Sequence, residues 1–295
     1  MENAAALGAF KTRFDDLNKE GENPELAVEA LEWLNRHAAG VRPSPVLFLN
    51  HPNRMAHTPD HASSLFRALR NVSPAVVGFE GAPGHQKARR LGSYSGAVSL
   101  IDRWDPLVAE VGGAWDQLLA TGLDVSGALA TSDFHGSSDG DFWPCEFSAT
   151  WVHAPDRSAE GVLRALQAGS FYGVHGGIAR AVRLSIEADG LERPVLVGET
   201  ARLPSGASIV IELRYETPAD DHAGEPNRID AVEIVQIDRA GARVVWSGRP
   251  NPTSPQARLE ATVPSGGLVV RARGRRVVPD GPDLLFHTNA VRVVN

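Results

Sequence analysis

An α/β unit followed by an antiparallel β-sandwich is the architecture this sequence predicts, on three observations. Up to about residue 178, short apolar β-type runs alternate with longer helical stretches, the pattern of α/β layering with largely parallel strands. From about residue 179 the helical period disappears, and segments such as AVRLSIEA, ASIVIELRY, DAVEIVQI, ARVVWSG, GLVVRARG and NAVRVV follow one another, separated by Gly, Pro, Asp and Asn. Finally, 295 residues of 42% hydrophobic composition can fill two modest cores. The predicted domains are 1–178 and 179–295.

In the first domain, residues 46–49, 75–79, 125–130 and 149–153 read as strands. Helices are expected over 24–39, 61–72, about 97–120 and 158–169. Ser158 is placed to cap the last of these, with Gly161 where a full capping box would have Glu, and Gly169 is placed to stop it. In the second domain, six or more alternating strands imply sheets with one packed and one wet face.

Composition narrows the function. The net charge is −7 with no Lys/Arg-rich run, which argues against a nucleic-acid partner. A single cysteine, Cys145, cannot form an internal disulfide. The N-terminus lacks the basic start and apolar stretch of a secretory signal, and no apolar run approaches the roughly 20 residues of a membrane span. As written the chain reads as cytoplasmic and away from membranes, with export left open if a segment precedes Met1. It has no P-loop, no G-x-G-x-x-G fingerprint and no G-x-S-x-G elbow.

The chemistry concentrates at strand ends. In VLFLNHPNR, an apolar strand runs into a polar turn, placing His51 at the C-terminal mouth where parallel α/β folds keep their active sites; the bland alternative is a histidine closing a turn before Pro52. In VSGALATSDFHG, a small-residue strand ends in Asp133 and His135. Two apart in extended backbone, they would face one pocket, an oxygen and an imidazole such as Zn²⁺ or Mn²⁺ accept. Glu80, in GFEG, ends the intervening strand and could orient a histidine or meet a substrate hydroxyl. Arg54 could clamp an anionic oxygen. His57, His61 and His85 read as loop residues able to touch substrate, while Asp139, Asp141, Lys87, Arg89 and Arg90 read as solvated and His153 and His175 as structural.

These motifs resemble the PHP (polymerase and histidinol phosphatase) superfamily of metal-dependent hydrolases, in its carbaryl-hydrolase-like branch. The resemblance rests on the NHP-closed strand, VVGFEG, SDFHG and ALQAGSFYG, and spans roughly residues 40–178; the segment ending in FHTNAVRVV is similar to an accessory β-domain. It implies a distorted, TIM-like (β/α)7 barrel and up to three divalent metals (Zn, Mn or Fe), with His51, Asp133 and His135 matching ligands that the family spreads over different metals of the cluster. It further implies hydrolysis of a small phosphoester or related substrate by metal-activated water, with Glu80, Arg54, His57 and His85 in support. The family's opening His-x-His, its Thr-Asp-His-like turn and a ligand glutamate do not occur in residues 1–50, where His37 is the only histidine. Three readings follow: a chain whose first motifs lie before Met1, a degenerate homologue that binds rather than hydrolyses, or a reduced site rebuilt from nearby histidines. An incomplete barrel would also leave an open strand edge, favouring self-association.

Overall fold

The structure, a computed structural model, describes residues 4–14, 24–42, 44–83, 87, 90–91, 96–136, 140–250 and 256–295. Its N-terminal layer comprises α1 (Ala4–Phe14), α2 (Pro24–Ala38), β1 (Leu47–Leu49), α3 (Pro52–Met55), α4 (Pro59–Val72), β2 (Val76–Ala82), α5 (Pro106–Ala109), α6 (Ala114–Ala120) and β3 (Ser126–Ala130). The three strands form a parallel sheet in the order β1-β2-β3. Every residue of β2 is buried, in keeping with a strand that is apolar but for Glu80. The sheet is drawn tightly together at two glycines: a Cβ on Gly81 would strike the Gly127 carbonyl, and one on Gly127 would strike the Trp115 ring.

Helix α4 starts at Pro59 because Thr58 caps it, its hydroxyl accepting the His61 amide at 3.1 Å, and Pro59 at the first position needs no hydrogen bond. Thr58→Ala is therefore expected to lower the unfolding free energy by about 1 kcal/mol, read as a fall in the urea midpoint without a change in slope. The helix expected over about 97–120 is instead two short helices. Asp105 caps α5 through the Leu107 amide, and Gly112, at φ 85°, breaks the chain before α6.

The remaining elements are β4 (Ser148–Val152), α7 (Ala159–Ala168), β5 (Phe171–His175), β6 (Arg180–Ala188), β7 (Val195–Leu196), β8 (Thr200–Arg202), β9 (Ser208–Glu216), β10 (Ala231–Asp238), β11 (Gly241–Gly248), β12 (Gln256–Thr262), β13 (Leu268–Arg276), β14 (Leu284–Thr288) and β15 (Val291–Val294). Helix α7 is capped by the Ser158 hydroxyl on the Gly161 amide and ends at Gly169 in the left-handed conformation. A β-sandwich forms, with one sheet in the order β12-β9-β6-β7 and an eight-stranded sheet running β11-β10-β13-β14-β5-β4, to which β15 and β8 attach.

This topology corrects the expected (β/α)7 barrel, complete or incomplete, and with it the TIM-like architecture. Among the described residues, β1, β2 and β3 make the one wholly parallel sheet, and the other parallel pair, β8 with β15, belongs to the mixed eight-stranded sheet. Strands β4 and β5, although joined by a helix as in a βαβ unit, pair antiparallel, from Ser148 opposite His175 to Val152 opposite Phe171, and β5 continues the sandwich by pairing with β14. Both strands precede residue 178, so the eight-stranded sheet crosses the predicted domain boundary.

That sheet is packed on both sides. One face meets the four-stranded sheet in a core including Ile186, Ile211, Ile234, Val270 and Phe286; the other contributes Val235, Ile237, Val269 and Ala290 to a second core with Phe66, Phe79, Trp115 and Leu118. Strands β14 and β15 cover successive halves of β13 and turn between them at Asn289, whose side-chain carbonyl accepts the amides of Gly127 and Ala128 on β3 at 3.1 Å each. Arg292 reaches the same layer, donating to the Leu123 carbonyl and the Asp124 carboxylate.

Candidate functional site

The C-terminal ends of β1, β2 and β3 converge on one cluster. His51 follows β1 by two residues and precedes Pro52, the first residue of α3. Its backbone is left-handed, at φ 48° and ψ 52°, a region that costs a non-glycine residue about 1–3 kcal/mol and persists only where the surroundings enforce it. The surroundings are specific. The buried side chain of Asn53 accepts the Val98 amide at 2.8 Å and donates to the Val98 carbonyl at 2.7 Å, while its own amide donates to Asp105 Oδ2 at 2.9 Å. Asp105 thus caps α5 and clamps the His51 turn at once.

Glu80, near the end of β2, is 2% exposed in its side chain and bridges the two neighbouring strand ends. One carboxylate oxygen accepts the His51 amide at 3.1 Å and lies 3.2 Å from His51 Nδ1; the other accepts the Thr131 hydroxyl at 2.5 Å. Beyond β3, Asp133 is also left-handed, at φ 46°. Asp133 Oδ2 lies 3.6 Å from His51 Nε2, and Asp133 Oδ1 lies 3.7 Å from His135 Nε2. His135 Nδ1 is 2.6 Å from the Asp133 carbonyl, which can only accept, so Nδ1 carries the proton and Nε2 is the basic nitrogen. The His135 amide donates to Asp141 at 3.0 Å, and its ring is 72% exposed.

Asp133 and His135 meet, but not through extended backbone: the left-handed turn at Asp133 folds the chain back, so that the histidine approaches the carboxylate from outside. Arg54 stands exposed on α3, its amide donating to the His51 carbonyl. His57 and His61 are exposed, with ring centroids 6.0 Å apart at the start of α4. His85, Arg89 and Asp139 lie outside the described residues. His175 is wholly buried against Trp104 and Phe147. Sequence reading missed Thr131, Asn53 and Asp105, although Asn53 stands inside the NHPN turn and Thr131 directly after the small-residue strand.

By the resemblance, His51, Asp133 and His135 were expected to be ligands in a cluster of up to three divalent metals, spread over different ions. Among the described residues, no group of three or more His, Cys, Asp or Glu side chains has the geometry to hold a metal ion. The two histidines address different oxygens of Asp133, giving two donor pairs that share one carboxylate. The cluster has the elements of acid–base chemistry: an imidazole with a buried carboxylate at one ring nitrogen and a partly exposed carboxylate at the other.

The sequence matches no family model and no curated protein. Among solved structures it is similar to a chitin binding domain from Burkholderia pseudomallei, at 13% identity and a TM-score of 0.21, covering 32% of this chain and 57% of that one. It is also similar to an AA10 lytic polysaccharide monooxygenase from Streptomyces lividans, at 14% identity and a TM-score of 0.19, over 32% and 58% of the two chains. A third is the catalytic domain of a lytic polysaccharide monooxygenase from Listeria monocytogenes, at 13% identity and a TM-score of 0.20, over 37% and 65%. The chain thus spans less than two thirds of each, and at these scores the likenesses carry neither fold nor function to it. No helix among the described residues is long and apolar enough to cross a membrane.

Proposed function

We propose that this chain hydrolyses a phosphoester or related small ester, with His51 as the general base. The observation that carries the reading is the position of His51 between Glu80 and Asp133, held by a left-handed backbone at both His51 and Asp133. Strained non-glycine conformations persist only where surrounding contacts enforce them, and they cluster at working sites.

The chemistry follows from the two carboxylates. Glu80 favours the proton on His51 Nδ1 and leaves Nε2 basic. Nε2 and Asp133 Oδ2, at 3.6 Å, are too far apart for a direct hydrogen bond, yet a water about 2.8 Å from each closes a triangle between them. Such a water gives one proton to Nε2 and points the other at Asp133, leaving an oxygen lone pair free to attack. The water oxygen forms the new bond to phosphorus, its proton passes to His51, and the ester oxygen departs with a proton from solvent. Thr131 holds Glu80 in place and takes no part in bond making.

The test is hydrolysis of p-nitrophenyl phosphate and bis(p-nitrophenyl) phosphate by the purified chain, beside His51→Gln and in EDTA. The rate should fall by about 10²-fold or more in the variant, within the range general bases contribute, and should survive the chelator. No turnover by the wild type, or equal rates in wild type and variant, would overturn the reading and leave a binding module. A rate lost in EDTA and restored by Zn²⁺ or Mn²⁺ would overturn the metal-free route.

A further inference from the structure

Beside the cluster, the loop after β3 turns a large aromatic surface outward. Trp143 is 55% exposed, although tryptophan is among the side chains with most to gain from burial. Its ring stacks on Phe134, with centroids 4.8 Å apart and planes 24° apart, and Phe134 lies between Asp133 and His135 in the chain. One face of the indole is therefore backed by a residue whose two neighbours belong to the acid–base cluster.

The display is braced. The Trp143 amide donates to Glu146 at 2.8 Å, and Glu146 pairs with Lys87 at 2.7 Å, which holds its carboxyl below the usual range. The Lys87 amide donates to the Gly140 carbonyl, and the His135 amide to Asp141. Phe142, next to Trp143, turns the other way and stacks on buried Phe147 at 4.8 Å, anchoring the loop to the core. With one face on Phe134, the indole still leaves apolar area open to solvent, and a flat ligand stacking there would bury it.

We infer that Trp143, backed by Phe134, is a stacking platform for a planar ring on the substrate, so that the site prefers aryl over alkyl esters. The inference rests on the reading of His51 and Asp133 as the reacting site. Exposed Trp151 on β4 gives an internal comparison. Its neighbour Thr150 turns its hydroxyl onto Ala130 at the end of β3, and alternation along the strand sends Trp151 the other way, onto Tyr172.

Two non-hydrolysable probes, phenylphosphonate and methylphosphonate, titrated calorimetrically, test it. Wild type should bind phenylphosphonate about three- to tenfold more tightly, the usual yield of one aromatic stack. Trp143→Ala should bring the two affinities within twofold, Trp143→Phe should keep part of the preference, and Trp151→Ala should leave it intact. His51→Gln should weaken both probes alike. Binding of both probes without preference, or a preference that survives Trp143→Ala, would overturn the platform alone. Failure of both probes to bind would overturn the underlying reading and the platform with it.

Discussion

Replacing Arg271 by Met is expected to lower the unfolding free energy by about 3–5 kcal/mol, the usual cost of stranding one partner of a buried ion pair. Arg271 projects from β13 with a fully buried side chain and grips Asp116 of α6 with two bonds, Nε to Oδ1 at 2.7 Å and Nη2 to Oδ2 at 2.8 Å. The guanidinium lies 4.8 Å from the centre of the Trp115 ring, and Asp116 also accepts the Gly112 amide. Removing the arginine leaves a carboxylate with no counter-charge in a core formed by Trp115 and Leu118. Asp116→Leu should cost a similar amount by stranding the guanidinium. The double variant should cost less than the sum of the two, because neither charge then remains to be stranded. Urea unfolding of the four proteins measures this; single variants within about 1 kcal/mol of wild type would show that the pair does not couple helix to sandwich.

A second large effect belongs to pH. The His287 ring on β14 is 1% exposed and packs against Trp104 with centroids 4.2 Å apart, and neither ring nitrogen has a hydrogen-bond partner among the described residues. Burial pushes its pKa well below the ordinary histidine value, and Arg271, Arg273 and His175 push the same way. The folded state therefore keeps His287 neutral while the unfolded chain takes up a proton below about pH 6.5. The unfolded state binds more protons, and stability falls as pH falls through that window. Asp102 opposes this below about pH 6, because burial raises its pKa to about 6 and the folded state then binds the extra proton. The informative quantity is therefore the stability of wild type minus that of His287→Phe. It should fall by about 1.4 kcal/mol per pH unit below pH 6.5, or about 2 kcal/mol by pH 5. Urea midpoints at pH 8, 6.5 and 5 test it; a difference that does not change with pH would mean that the imidazole is solvated or paired in the folded protein.

Much of the local structure was legible in the sequence because its signals are short-ranged. Ser158 and Gly169 bound α7 as their chemistry requires, and the alternating segments after residue 179 mark strands of a sandwich. The architecture was not legible, because strand direction is a long-range property. The run from Ser148 through α7 to His175 has the composition of a βαβ unit, yet β5 is recruited by β14, more than a hundred residues later, and nothing within the segment encodes that partner. The single helix expected over about 97–120 is divided because Asp105-Pro106 and Gly112-Gly113 are start and stop signals. At the site, strand ends identified His51, Glu80 and Asp133, since apolar runs that finish in polar residues point to the same rim. The left-handed turns and the clamps from Thr131, Asn53 and Asp105 depend on contacts up to 52 residues apart and leave no periodic trace.

The staple that Asn289 places on β3, and Arg292 on the residues just before it, also sets an order of events during synthesis. Strand β3 and its neighbours emerge from the ribosome early, but the carbonyl that satisfies the amides of Gly127 and Ala128, and the strand that covers β5, lie within residues 284–292. Until that stretch has been translated, β5 has an unpaired edge and the amides of Gly127 and Ala128 lack their acceptor. At about 5–20 residues per second this exposure lasts for several seconds on each nascent chain. The interval is one in which a holding chaperone has an open strand edge to bind, and it closes when β14 docks on β5.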